Sequence, residues 1–223
     1  MSKKQIMNQT DAMARAARAK KVTWVGFWVN VVLSVAKIIA GIVGRSGAMI
    51  ADGVHSISDF VTDIIVIVFI GVSAKGENTR FRYGHGKFET FATMLISFAL
   101  FAVAVGLFWT SFSQIVDALN GKVLPRPEMV ALVMAFVSVV AKEWLFHYTC
   151  VAGEQMNSMA LVANAWHHRS DAFSSIAVLV GIGCAMFLGE RWRVLDPIAA
   201  ATVSVFIALV AYRLAMPSIR ELL

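Results

Sequence analysis

Two short stretches share one arrangement of side chains that can hold a metal ion. The first reads Asp52-Gly-Val-His55-Ser-Ile-Ser58-Asp59, the second Asn164-Ala-Trp-His167-His-Arg-Ser170-Asp171. Each has a carboxylate or amide, a His three residues on, and a Ser-Asp that completes His-x-x-x-Asp. On a helix, positions i, i+3 and i+7 share one face, and i with i+4 are adjacent on it. Each helix can therefore present one imidazole nitrogen and one carboxylate oxygen, one turn apart. Two such helices face to face supply His55, Asp59, His167 and Asp171, two nitrogens and two oxygens that suit tetrahedral Zn(II) and its borderline neighbours. Asp52 and Asn164 are placed to orient the histidines from behind. His168 follows His167 by about 100° of helical rotation and should point elsewhere. A lone His in an apolar helix is more often a hydrogen-bond partner between helices. A lone Asp could pair with Lys37 or Arg169. It is the duplication that argues for metal.

The elements that must position these residues are apolar helices. The chain has 223 residues, 58% hydrophobic and only 15% charged, where soluble domains run near half apolar and about a quarter charged. A bilayer core of about 30 Å asks for helices of about 20 residues. Six runs qualify, over residues 22–43, 49–73, 91–116, 129–151, 159–188 and 194–216. The expected fold is an all-α polytopic membrane protein with six transmembrane helices. A basic arm (1–21) precedes a membrane domain (22–217), and a short tail (218–223) follows. A soluble enzyme, a disulfide scaffold and a disordered chain are excluded at this point. Cys150 and Cys184 sit apart in apolar runs and read as packing residues. Pro125 and Pro127 fall in a loop, Pro197 at the start of the last helix and Pro217 at its end.

Charge sets the orientation. With the N-terminus inside, the cytoplasmic side carries Lys3, Lys4, Arg15, Arg18, Lys20, Lys21, Lys75, Arg80, Arg82, Lys87, Arg213 and Arg220. The outer side carries Arg45, Lys122, Arg126, Arg191 and Arg193. The excess follows the positive-inside rule and places both termini in the cytoplasm. It also accounts for a pI near 9.6 without a nucleic-acid partner. No cleaved signal peptide is expected, because the basic segment leads into a full-length span.

A charge at mid-bilayer costs about 2.5–3.5 kcal/mol on insertion scales, so such residues mark polar interiors. Besides the two motifs, the spans hold Lys37, Asp63 and the group Lys142, Glu143 and His147. Lys37 is expected to neutralise a carboxylate or snorkel. The fourth-span group is expected to serve internal charge pairing and helix packing.

With Tyr83-Gly-His-Gly-Lys87-Phe-Glu89 added to the two motifs, the sequence resembles the cation diffusion facilitator family, proton-coupled exporters of zinc and related divalent metals. That resemblance implies a transport site on the second and fifth helices, at His55, Asp59, His167 and Asp171. It implies a homodimer, export from the cytoplasm across a cell membrane (a bacterial inner membrane), and no enzymatic activity. Zn2+ is the expected cargo, with Fe2+, Co2+, Cd2+ and Mn2+ as other candidates, carried as substrate rather than cofactor. A weaker loop metal site is implied at His85, with Asn78 and Phe81 where its partners would stand. The family's usual cytoplasmic C-terminal domain is expected to be absent. Three rival readings stand beside this one. A membrane haem protein leaves the aspartates without a role. An intramembrane metallohydrolase would need His-Glu-x-x-His, which is missing. A non-transporting metal sensor or partner subunit would have the same site without flux.

Overall fold

A computed structural model describes residues 3–73, 86–156 and 158–222. It contains six long helices: α1 (Lys3–Val43), α2 (Gly47–Ser73), α3 (Gly86–Leu119), α4 (Met129–Gln155), α5 (Met159–Phe187) and α6 (Leu195–Leu222). Five are long and apolar enough to cross a membrane, and α2, with its ionisable residues, is the sixth. The all-α polytopic architecture follows. His85, Asn78 and Phe81 lie outside the described residues.

The helices outrun the apolar stretches that predicted them. The basic arm continues α1 without a break, giving 41 helical residues, or about 60 Å at about 1.5 Å per residue, twice a bilayer core. α3 reaches Leu119 and α4 reaches Gln155. Hydropathy marks only the lipid-buried part, whereas backbone hydrogen bonding continues into the wet interface. α6 likewise runs through Pro217, where the sequence suggested its end. Between α5 and α6 runs a 3-10 helix, Glu190–Val194, entered through Gly189 at φ 102°.

One end of the bundle is stitched together by polar contacts. α1 closes in a Schellman arrangement: Ser46 N–H donates to Gly41 O (3.0 Å) and Arg45 N–H to Ile42 O (3.3 Å), with Arg45 left-handed at φ 52°. Ser46 then caps α2, its Oγ accepting from Met49 N–H at 3.1 Å. The same hydroxyl donates to Asp196 Oδ1 (2.5 Å), and Gly47 N–H donates to Asp196 Oδ2 (2.9 Å). A carboxylate from the first turn of α6 thus meets the N-terminus of α2, where the helix dipole favours it. Glu128 N–H donates to Gly44 O (2.8 Å) and Arg193 Nη1 to Leu124 O (2.9 Å), tying in the α3–α4 connection.

Between the helices, packing is made by small residues. Ala40, Ala48, Ala51, Ala131, Ala135 and Ala200 are buried with Met49, Val178, Ile182 and Ile207. Lipid offers no hydrophobic drive between helices, so close backbone approach supplies the attraction. α1 packs on α2 and α4, α4 on α5, and α3 on α6, which in turn touches α2 and α5. Large apolar side chains such as Val32, Trp109, Phe136, Phe173 and Phe206 face outward, toward lipid.

The α1–α2 crossing is tight enough to test. A Cβ at Gly41 would lie 2.7 Å from Ile50 N, whereas a Cβ at Gly106 meets nothing within 4 Å. Gly41→Ala is expected to destabilise by about 1–3 kcal/mol and Gly106→Ala to be neutral or stabilising, measured by denaturant unfolding in detergent micelles.

Candidate metal centre

The two motifs behave as the helical period requires. Within α2, His55 Nε2 lies 3.8 Å from Asp59 Oδ2; within α5, His167 Nε2 lies 4.0 Å from Asp171 Oδ1. The helices bring three of the four residues together: one ligand atom each from His55, Asp59 and Asp171 lie within 4.8 Å of one another. Donors on one tetrahedral ion, with bonds of about 2.0–2.2 Å, stand about 3.4 Å apart, so the three would draw together by about an ångström to share an ion. His167 stands at the rim, its side chain 44% exposed, against 16%, 13% and 10% for His55, Asp59 and Asp171.

Five buried polar atoms among the described residues lack a hydrogen-bond partner, and two of them, Asp59 Oδ2 and His55 Nδ1, belong to this cluster. Buried polar groups are nearly always satisfied. The others are Asn30 Oδ1, Thr149 Oγ1 and His168 Nδ1.

Lysines meet the carboxylates from neighbouring helices. Lys142 of α4 places its Nζ 2.7 Å from Asp171 Oδ2, and its side chain is only 2% exposed. Four residues before it on α4, and so one turn along the same face, Ser138 Oγ lies 3.4 Å from Ser175 Oγ of α5. Ser175 follows Asp171 by the same interval. A second polar layer therefore sits one turn nearer the stitched end. At its centre Lys37 of α1 pairs with Asp52 Oδ2 at 2.8 Å, both side chains 1% exposed. Lys37 also donates to Ser56 Oγ (3.1 Å) and Ser175 Oγ (3.2 Å), and Ser175 donates to both Asp52 oxygens (3.3 and 3.2 Å).

Several sequence expectations are corrected by these contacts. Asp52 does not support His55; it is the partner of Lys37, because the buried ammonium on α1 is the stronger claim on a carboxylate. Asn164 does not support His167; its amide lies 3.3 Å from His168 Nε2, its i+4 neighbour. Lys142 does join a buried pair, as expected, but with a candidate ligand, so it belongs to the site. Glu143 and His147 form a separate exposed contact at 3.3 Å. Arg169 takes neither aspartate and lies over the rings of Phe146 and Trp166, at 4.6 and 5.4 Å from their centroids. The signal for Lys142 was present: a lone cation in an apolar run, with Ser138 on the same face.

An all-helical membrane protein with an ionisable cluster buried between its helices defines a class, that of proteins that carry or sense cations within the bilayer. The cation efflux transmembrane domain matches residues 23–223, and the chain belongs to that family, the cation diffusion facilitators. It is 33% identical over 216 residues to the manganese efflux system protein MneP of Bacillus subtilis, covering 95% of this chain and 71% of the relative. It is 35% identical to metal tolerance protein C1 of Arabidopsis thaliana (91% of this chain, 45% of the relative). It is 32% identical to mitochondrial metal transporter 1 of Saccharomyces cerevisiae (82% and 39%). The chain thus spans between 39% and 71% of the length of such curated relatives. The family's members are transporters rather than enzymes, with divalent metals as their substrates.

The second layer can be tested without metal. Lys37→Met leaves Asp52 buried and uncompensated, a loss of about 3–5 kcal/mol. Lys37→Met combined with Asp52→Asn is expected to recover much of it, and thermal unfolding in detergent reads both.

Proposed function

We propose that this chain exports a divalent metal ion, Zn2+ first among candidates, in exchange for protons by alternating access. The observation that carries this reading is the convergence of His55, Asp59 and Asp171 from two helices at one buried point. His167, adjacent to Asp171 and more accessible, completes the four-ligand set by turning inward on the ion. Two imidazoles and two carboxylates favour zinc over manganese, which prefers oxygen donors. The manganese efflux named for the Bacillus subtilis relative makes Mn2+ the second reading.

Ligands must shed protons to bind metal, so ion and proton compete for the same atoms. Histidine, with an unperturbed pKa of about 6.5, makes that competition effective near neutrality. From the cytoplasmic side the deprotonated cluster takes the ion; once the site faces outward, protons displace it. The polar layer of Lys37, Asp52, Ser56 and Ser175, one turn toward the stitched end, stands across the outward path in this reading. Family membership supports a homodimer in a cell membrane, with one such site in each protomer. The charge asymmetry supports an orientation with both termini inside, and in this reading the proton gradient drives the ion outward.

Inside-out proteoliposomes with an imposed pH gradient should accumulate Zn2+. Asp59→Ala and Asp171→Ala are each expected to reduce the initial rate by about a hundredfold or more, as removal of a charged ligand requires. Zn2+ affinity should fall as pH drops from 7.5 to 5.5, since imidazole protonation removes ligands. Undiminished flux in both aspartate variants overturns the site, and Mn2+ flux in excess of Zn2+ flux favours the second reading.

A further inference from the structure

Among the described residues Lys142 is the one lysine or arginine placed directly on the ligand cluster. Its Nζ lies 2.7 Å from Asp171 Oδ2, while Asp171 Oδ1 turns to His167 at 4.0 Å. The two oxygens of one carboxylate therefore face different partners, one an ammonium and the other the ligand side. An ion bound through Asp171 lies within a carboxylate's width of this fixed positive charge. Because the side chain is buried, water screens the repulsion poorly.

Among the described residues one other lysine is buried, Lys37, and it is held differently. Lys37 is met by a carboxylate and two hydroxyls, from Asp52, Ser56 and Ser175, and its donors are well used. Among the described residues Lys142 has the single partner Asp171. An ammonium has three donors, so Lys142 is held less completely, and held by a residue that must also serve the ion. A purely structural lysine would resemble Lys37.

From this contrast we infer that Lys142 is an intramolecular competitor of the transported ion: a built-in cation that shares Asp171 and weakens the site's hold, so that the bound dication can leave. Unlike a positioning role, which holds Asp171 in the right place for metal, competition predicts that removing the lysine tightens binding. In the ion-free state the same ammonium offsets one of the two cluster carboxylates. The inference rests on the metal-site reading above and concerns affinity, not the identity of the ligands.

The test is Zn2+ titration of the purified full chain in detergent at fixed pH, against a competing chromophoric chelator. Lys142→Gln keeps a hydrogen-bond donor to Asp171 and removes the charge; Lys142→Met removes both and provides a second uncharged variant should the first not fold. Either is expected to lower the Kd by about tenfold or more, with Lys142→Arg, which keeps the charge, tightening binding less than Gln. In proteoliposomes the tighter variants should show slower flux at saturating Zn2+, because release is retarded. A Kd that rises, or stays within about twofold of wild type, in a folded uncharged variant overturns the inference while leaving the site intact. Wild-type protein that shows no Zn2+ binding sensitive to Asp59→Ala overturns the site reading and the inference together.

Discussion

The structure is governed by the cost of charge in a medium that cannot solvate it. In lipid an ionised group has no water to fall back on, so every carboxylate placed between these helices must find a cation or a set of donors within the protein. Asp52 finds Lys37 and Ser175; Asp171 finds Lys142; Asp196, nearer the end, finds Ser46 and the α2 N-terminus. Among the described residues Asp59 has only the loose contact with His55. That hierarchy separates groups fixed in the framework from those that the proposed reading assigns to an ion. The small-residue packing serves the same end, since helices separated by large side chains could not bring Lys142 within reach of Asp171.

What the sequence made legible was whatever lies within one helix. His55 with Asp59 and His167 with Asp171 are i, i+4 pairs, and the period of the helix alone places them side by side. The six apolar runs were legible for the same reason: each is a local property of about 20 residues. Between helices the sequence is nearly silent. Whether Asp52 turns to His55 or to Lys37 depends on the relative depth and rotation of α1 and α2, which Gly41 and Gly53 set by close approach. The partner of Lys142 depends likewise on how α4 lies against α5. Helix ends were misjudged because hydropathy senses lipid, while Asp117, Gln155 and Arg220 belong to helices that emerge from it.

His167 shows both sides of this. Its position one turn before Asp171 was readable, and so was its suitability as a ligand. Its exposure was not, because that depends on the rotation of α5 and on what α2 and α4 leave open beside it. Three convergent donors with a fourth at the rim give the cluster an unequal character. The inner three are set by helix packing, whereas the fourth has room to move.

The two polar layers ride on the same rods. α2 carries His55 and Asp59 together with Asp52 and Ser56, and α5 carries Asp171 together with Ser175. Within a rigid helix these residues keep their spacing, so a rotation of α5 that withdraws Asp171 from the cluster also drags Ser175 from Lys37 and Asp52. In the proposed transport cycle the ligand cluster and the polar layer are thereby geared to one another, because a rotation that loosens one also disturbs the other. The coupling lies in the covalent geometry of α2 and α5, so site and polar layer respond to one helix movement without any separate linking element.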